Sequence, residues 1–254
     1  WLHVCGNIKK ITSNMFDECN IIRIMICSSI NSIEDNAFYG CQSLLDIALP
    51  SSVTSIGNCA FQKCRRLKKF EIPSSVTSIK KSTFSNCVSL KEIIIHTSVT
   101  SIEDHAFADC RSLDQITIPS SVKMIKDYTF CQCSSLTQVV IPPSIISIED
   151  YAFAECTSLK EIIIPSSVKS IGNYIFYHCT SLNVIRLPSS IVSIGNNAFD
   201  GCQSLAHLII PPQVTMIDNY TFSGCNSLIS VTIPSSVTSI GNYAFNGCSS
   251  LIEI

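Results

Sequence analysis

The chain of 254 residues is short of charge: only 14% of its residues are Asp, Glu, Lys or Arg, against roughly 25% in ordinary soluble domains. Its 17 Lys and Arg are balanced by 19 Asp and Glu, for a net charge of −2. Such a surface sets up no field to hold a phosphate backbone, so nucleic acid is not the expected partner. Long apolar runs are missing too, although 46% of the residues are hydrophobic. No run exceeds four residues, whereas a spanning helix needs about 20, so no membrane insertion is expected. The sequence has no G-x-S-x-G, P-loop, H-E-x-x-H, dinucleotide fingerprint or Cys-x-x-Cys. Neither catalysis, nor a bound cofactor, nor a metal site is therefore expected. The chain is far too long for a cysteine-stapled mini-protein, despite its 15 cysteines.

Repetition takes the place of these features. Phe with Cys three residues later occurs at 16/19, 38/41, 61/64, 84/87, 107/110, 130/133, 153/156, 176/179, 199/202, 222/225 and 245/248. The step is 23 residues after a first step of 22. Aligned, the units read C-x-S-L-x-x-I-x-I-P-S-S-V-x-S-I-(G/E)-(N/D)-x-A-F-x-x, most clearly from Cys225 to Phe245. A unit this short cannot bury its own apolar positions, but stacked copies bury one another's, which is how a solenoid is held together. Residues 1–254 are thus expected to form one solenoid domain of about eleven repeats. The chain opens on Trp1-Leu2-His3-Val4 and closes on Leu251-Ile252-Glu253-Ile254 in mid-pattern, as expected of a piece of a longer protein truncated at both ends.

Within each unit L-x-x-I-x-I is rich in β-branched residues and stops at Pro, which has no N–H for a ladder, so it reads as a short strand. Twelve such strands should lie side by side and parallel, about 4.8 Å apart. The remainder reads as turns and a short helix. Asp35, Asn58, Asp104, Asp127, Asp150, Asn173, Asn196, Asn219 and Asn242, with Ser13, stand three residues before the Phe. There they suit the capping of a helix that carries Phe and Cys on one face. Only Lys81 breaks this column. The Pro-Ser-Ser turn offers hydroxyls to nearby backbone groups.

The unit L-x-x-I-x-I-P-x-S-V-x-x-I-(G/E)-x-x-A-F-x-x-C resembles the BspA-like class of leucine-rich repeats, bacterial and protist, over the whole chain. Cys5, Cys27 and His96 depart from it by standing at the Pro position. The resemblance implies an α/β repeat solenoid with a parallel β-sheet on the concave face and short helices or turns on the other. Similar proteins serve mucosal bacteria and parasitic protists as surface adhesins, so the resemblance also implies protein recognition at the cell surface or after secretion. An intracellular scaffold docking a signalling enzyme in the cytoplasm, and a structural spacer, remain open as alternatives.

Function in a repeat array belongs to what varies between copies on one exposed face. Two positions flank the inward residue of each strand and should face the concave side. The first carries Asp46, Lys69, Glu92, Gln115, Gln138, Glu161, Val184, His207 and Ser230. The second carries Ala48, Glu71, Ile94, Thr117, Val140, Ile163, Arg186, Ile209 and Thr232. The partner-binding candidates are Glu92, Ile94, Gln115, Thr117, Gln138, Val140, Glu161, Ile163, Arg186, His207 and Ile209. The aliphatic members suggest a stripe for a protein partner or for homo-oligomers; they equally suit strands for their own sake.

Other features have plainer readings. Seven basic residues between Lys63 and Lys81 wind around a coil of 23 residues instead of sharing a face, and Lys69 should lie between Asp46 and Glu92. The Tyr column at 128, 151, 174, 220 and 243 should stack opposite the strands, as a ladder or as a ligand platform. Asn219-Tyr220-Thr221 is a single glycosylation match. The column cysteines behave as small buried hydrophobes, and the cysteines as a whole are expected to be reduced, with Cys59 and Cys131 the more exposed thiols.

Overall fold

A computed structural model describes residues 2–254; Trp1 lies outside the described residues. Successive units form successive coils. The L-x-x-I-x-I stretches give eleven strands, from Leu2–Val4 and Arg23–Ile26 to Ser230–Thr232. Glu253, bridged to Ser230 in parallel, marks the twelfth position. Neighbours pair in register with the repeat, Gln115 to Gln138, Ile116 to Val139 and Thr117 to Val140. Most of these strands, such as Gln115–Thr117, Gln138–Val140 and Glu161–Ile163, are exposed at their ends and buried at their centre, as side chains alternate across a pleat.

A second column, not anticipated from the sequence, is made by the end of Val-x-Ser-Ile. It consists of two-residue parallel strands such as Ser147–Ile148 and Ser170–Ile171, each with its Ile buried. The solenoid thus has two strand walls joined by turns.

The expected short helices do not form: none of the described residues is helical. Each coil instead carries two residues at positive φ, four apart, for example Asn36 (56°) and Gly40 (66°), or Tyr151 (56°) and Glu155 (58°). A right-handed helix needs an unbroken run at negative φ, so these residues cut it into single turns. In those turns Tyr39 N–H donates to the Asn36 carbonyl at 3.0 Å and Cys41 N–H to the Phe38 carbonyl at 3.2 Å. The intervening amides point along the stack: Asn36, Phe38 and Gly40 donate to the carbonyls of Asn58, Ala60 and Gln62 in the next coil, at 2.9, 2.8 and 2.8 Å. The neighbouring coil supplies the acceptors that a helix would have supplied from within.

The Asp/Asn column is accordingly a ladder between coils, not a row of caps. Asp35 Oδ1 accepts the Asn58 N–H at 2.7 Å, and Asp127, Asp150, Asn173 and Asn219 do the same for Asp150, Asn173, Asn196 and Asn242. Gly57, Gly172, Gly195 and Gly241 precede four of these donors. A Cβ on Gly57 would stand 2.4 Å from Asp35 Oδ1 and 2.5 Å from Asp35 N. Close approach of the coils thus explains why Gly accompanies Asn in the repeat. The serines of Pro-Ser-Ser also bond backward, with Ser144, Ser190 and Ser236 hydroxyls donating to the Val122, Val168 and Val214 carbonyls at 2.9, 2.8 and 2.7 Å.

The core is a stack of equivalents. The Phe rings from Phe16 to Phe245 lie face to face with centroids 5.2–5.9 Å apart. Beside them each column Cys from Cys41 to Cys248 donates its S–H to the Phe carbonyl of the preceding coil, as Cys133 does to Phe107 at 3.2 Å. Burial pushes these thiols up, Cys41 to about 12 and Cys133 higher still. Thirteen cysteines are free, but Cys5 and Cys27 are joined in a disulfide. The expectation of reduced cysteines is corrected at that pair: two Cys at equivalent positions of adjacent coils have Cα atoms only 5.0 Å apart, within disulfide reach.

Candidate interaction surface

The first strand wall gathers all eleven sequence candidates on one face. Glu92, Gln115, Gln138, Glu161 and His207 are exposed at one edge of their strands, and Ile94, Thr117, Val140, Ile163, Arg186 and Ile209 at the other. The four aliphatic members are open to solvent, at 43% for Ile94, 52% for Val140, 55% for Ile163 and 73% for Ile209. Val140, Ile163 and Ile209 sit beside a buried neighbour in the same strand, and Ile94 beside the half-buried Ile93, so the backbone holds them outward.

Charges on this face pair with each other. Lys69 Nζ meets Glu92 Oε2 at 2.7 Å, and Arg186 Nε approaches Glu161 Oε1 at 3.8 Å. The hydrogen bond from Lys69 raises that ammonium's pKa, and Glu92 is its ion-pair partner across the registered strands. His96, at the Pro position, reaches Glu71 at 3.2 Å, and His207 Nδ1 reaches Ser230 Oγ at 2.9 Å. Pairs this exposed contribute little stability but limit the net charge a partner meets.

The main-chain ladder of this wall is not continuous. Strands Asp46–Ala48 and Lys69–Glu71 are not paired, nor are Glu92–Ile94 and Gln115–Thr117, Gln138–Val140 and Glu161–Ile163, or Val184–Arg186 and His207–Ile209. A shallow recess opens at each break. That of about 580 Å³ lies between Val140 and Ile163, with Thr137, Gln138, Lys160 and Glu161 around it and Pro143 and Pro165 at one end. Another, of about 450 Å³, brings Glu71, Ile94 and His96 together. Thr137, Lys160 and the two prolines were missed from sequence because only two positions per strand were taken to face out. The repeat's unconserved third position, just before each strand, was the available signal.

The remaining features are structural. Lys63 donates to the Tyr39 hydroxyl and lies 4.8 Å over the Tyr39 ring, so the basic run is partly absorbed locally. His105, Tyr128, Tyr151 and Tyr174 stack at 4.6, 4.5 and 4.5 Å, and Tyr220 on Tyr243 at 5.0 Å. Within each stack the faces cover one another, while Tyr243 at the end of the second stack is 60% exposed. Burial, with Tyr128 and Tyr174 on either side, pushes the Tyr151 hydroxyl up to about 12. Asn219 of the sequon holds Asn242 N–H through Oδ1 and donates through Nδ2 to Asn196 Oδ1, so the amide that a glycan would modify belongs to the inter-coil ladder. Among the described residues no His, Cys, Asp and Glu gather into a metal-binding group, and no helix is long and apolar enough to cross a membrane.

The BspA-type leucine-rich repeat region, in its six-copy form, matches residues 9–137 and 123–252. No curated protein matches significantly. Among solved structures, a leucine-rich repeat protein of Bacteroides ovatus is similar at 26% identity and a TM-score of 0.69, over 98% of this chain and 85% of that one. A leucine-rich cell surface protein of Faecalibacterium prausnitzii is 30% identical, with a TM-score of 0.59 over 97% and 82%. The pneumococcal vaccine antigen PcpA, at 20% identity and a TM-score of 0.52 over 97% and 84%, shares the fold. The matched span, the 23-residue step and the two parallel walls agree: the chain belongs to the BspA-type leucine-rich repeat family.

Proposed function

We propose that the first strand wall is the recognition surface of a cell-surface or secreted scaffold, and that its partners are proteins on host or neighbouring cells. The observation that carries this reading is the exposure of Ile94, Val140, Ile163 and Ile209 on a wall whose ladder breaks into recesses. Exposed aliphatic side chains rimmed by polar groups are how interaction sites look before they are covered. Between Val140 and Ile163 a partner meets apolar contact at the centre and the Gln138, Glu161 and Lys160 groups at the rim. Residues 1–254 act as one array in this reading, without catalysis, and self-association through the same stripe is the competing occupant. The Faecalibacterium relative is described as a cell surface protein, which supports the location.

The test is binding of labelled protein to epithelial monolayers and to immobilised matrix proteins, wild type against a Val140→Asp/Ile163→Asp variant. Binding at least tenfold weaker with an unchanged melting temperature supports the reading; equal binding overturns it. Sedimentation in which wild type dimerises and the variant does not assigns the stripe to a second copy instead.

A further inference from the structure

The one disulfide joins the first two coils of the described stack. The first coil buries only Val4 and Ile11 fully, and leaves Leu2, Ile8 and Met15 exposed. The second buries Ile24, Ile26, Ile30, Ile33, Ala37, Phe38 and Cys41. Apolar burial, the main force holding coils together, is thus smaller in the first described coil than in the second. What the first coil does is cover the second: Leu2 and Val4 pair with Ile24 and Ile26, and Phe16 stacks on Phe38 at 5.2 Å. Across this junction runs Cys5–Cys27, with Cys5 exposed and Cys27 half-buried.

Nine of the thirteen free thiols are buried and kept out of such chemistry, whereas Cys19, Cys59, Cys131 and Cys248 are half-buried. The column cysteines from Cys41 to Cys225 also stand in equivalent positions of neighbouring coils, yet each gives its S–H to a Phe carbonyl and is buried. Thiolate is the species that attacks a disulfide, and a buried hydrogen-bonded thiol rarely supplies it. One exposed pair and a sheltered column can therefore coexist in the same oxidising surroundings.

We propose that Cys5–Cys27 is a redox-operated latch that holds the first coil over the edge of the second. It closes by exchange with a low-molecular-weight disulfide: one thiolate attacks, a mixed disulfide forms and the second thiolate displaces the remaining half. The net change is two protein thiols and one R–S–S–R converted to one protein disulfide and two R–SH. A reducing dithiol runs it backwards. Closure removes chain freedom over a separation of 22 residues, which shifts opening of the first coil on the order of a hundredfold. When the latch opens, strand Arg23–Ile26 becomes a free edge with Ile24, Ile26 and Phe38 uncovered, and such an edge pairs with other chains.

Hydrogen exchange read by mass spectrometry, with and without tris(2-carboxyethyl)phosphine, tests this on the whole chain. The Asn14, Phe16, Glu18, Asn31 and Glu34 amides bond across the junction. They are expected to exchange on the order of a hundredfold faster after reduction, while amides of the coils beyond Asp46 do not change. Cys5→Ser should reproduce the effect without reductant, and both open forms should shift to larger species on a sizing column. Equal exchange at the junction in both states overturns the latch, as does peptide mapping that finds Cys5 and Cys27 unpaired after exposure to oxidised glutathione.

Discussion

The turn wall and the strand wall of one coil obey different rules. On the turn side, Phe, Cys and the Asp/Asn position recur in almost every unit, because Phe and Asp/Asn touch their own equivalents in the neighbouring coil and Cys bonds that coil's Phe carbonyl. A substitution there meets two copies of itself. On the strand side, Gln138, Val140, Glu161 and Ile163 differ from coil to coil, and their side chains end in solvent. Repetition is thus enforced where coil meets coil and relaxed where the array meets anything else, which is why candidate function is confined to one wall.

Phe130 gives the largest test of that contrast. Its ring is fully buried between Phe107 and Phe153, with centroids at 5.6 and 5.4 Å. Phe130→Ala is expected to cost about 3–5 kcal/mol in denaturant unfolding. A loss under about 1 kcal/mol would mean that the stack contributes less than its burial implies. Next comes Gly172, where a Cβ would lie 2.8 Å from the carbonyl carbon of Glu149. Gly172→Ala should cost about 1–3 kcal/mol through overpacking. Lys126→Ala, in the same repeat column, removes a half-buried, partly solvated pair and should cost under about 1 kcal/mol. If the two substitutions are equal, close approach of the Gly-Asn coils is not what selects glycine.

Much of this was legible from spacing. The 23-residue step located both the strands and the buried Phe and Cys, because a stacked fold repeats its contacts with its sequence. The missing helices show where that legibility ends. Asp150, followed by Tyr151-Ala152-Phe153, has the composition of a capped helix start, and the sequence does not show that Tyr151 and Glu155 take positive φ. Tyr, His and Cys rarely adopt that conformation alone; here acceptors in the next coil impose it. The second strand wall was hidden because two-residue strands show no alternation. The breaks in the first wall are visible only in three dimensions, since the strands on either side of a break have the same pattern as those that pair.

Val140→Asp and Ile163→Asp sharpen the comparison from the other side. Both side chains lie outside the core, so each change should alter stability by no more than about 0.5 kcal/mol, read from melting temperature, while partner binding falls. A destabilisation above about 1 kcal/mol would show that these residues support the wall instead of decorating it.

The smallest effect compares two carboxylates of one repeat column, Glu103 and Glu149, which lie two coils apart with Lys126 between them. The Lys126 ammonium, hydrogen-bonded to Glu103, holds that carboxyl below its usual range. Burial, with Asp127 and Asp104 nearby and Lys126 only partly offsetting them, pushes Glu149 up. A lowered folded value means that Glu103 stabilises fully above the ordinary carboxylate range and loses this as pH falls through its folded value. Glu149 has the opposite sign: its charge opposes folding above its raised value, and protonation relieves this as pH falls toward the ordinary range. Stability should therefore rise slightly on mild acidification and then fall. Glu149→Gln should remove the rise and Glu103→Gln part of the fall, each by under about 1 kcal/mol because both groups remain partly solvated. Thermal melts between pH 7 and pH 3 that run parallel for all three proteins would show that the charges along this column act independently of their neighbours in the stack.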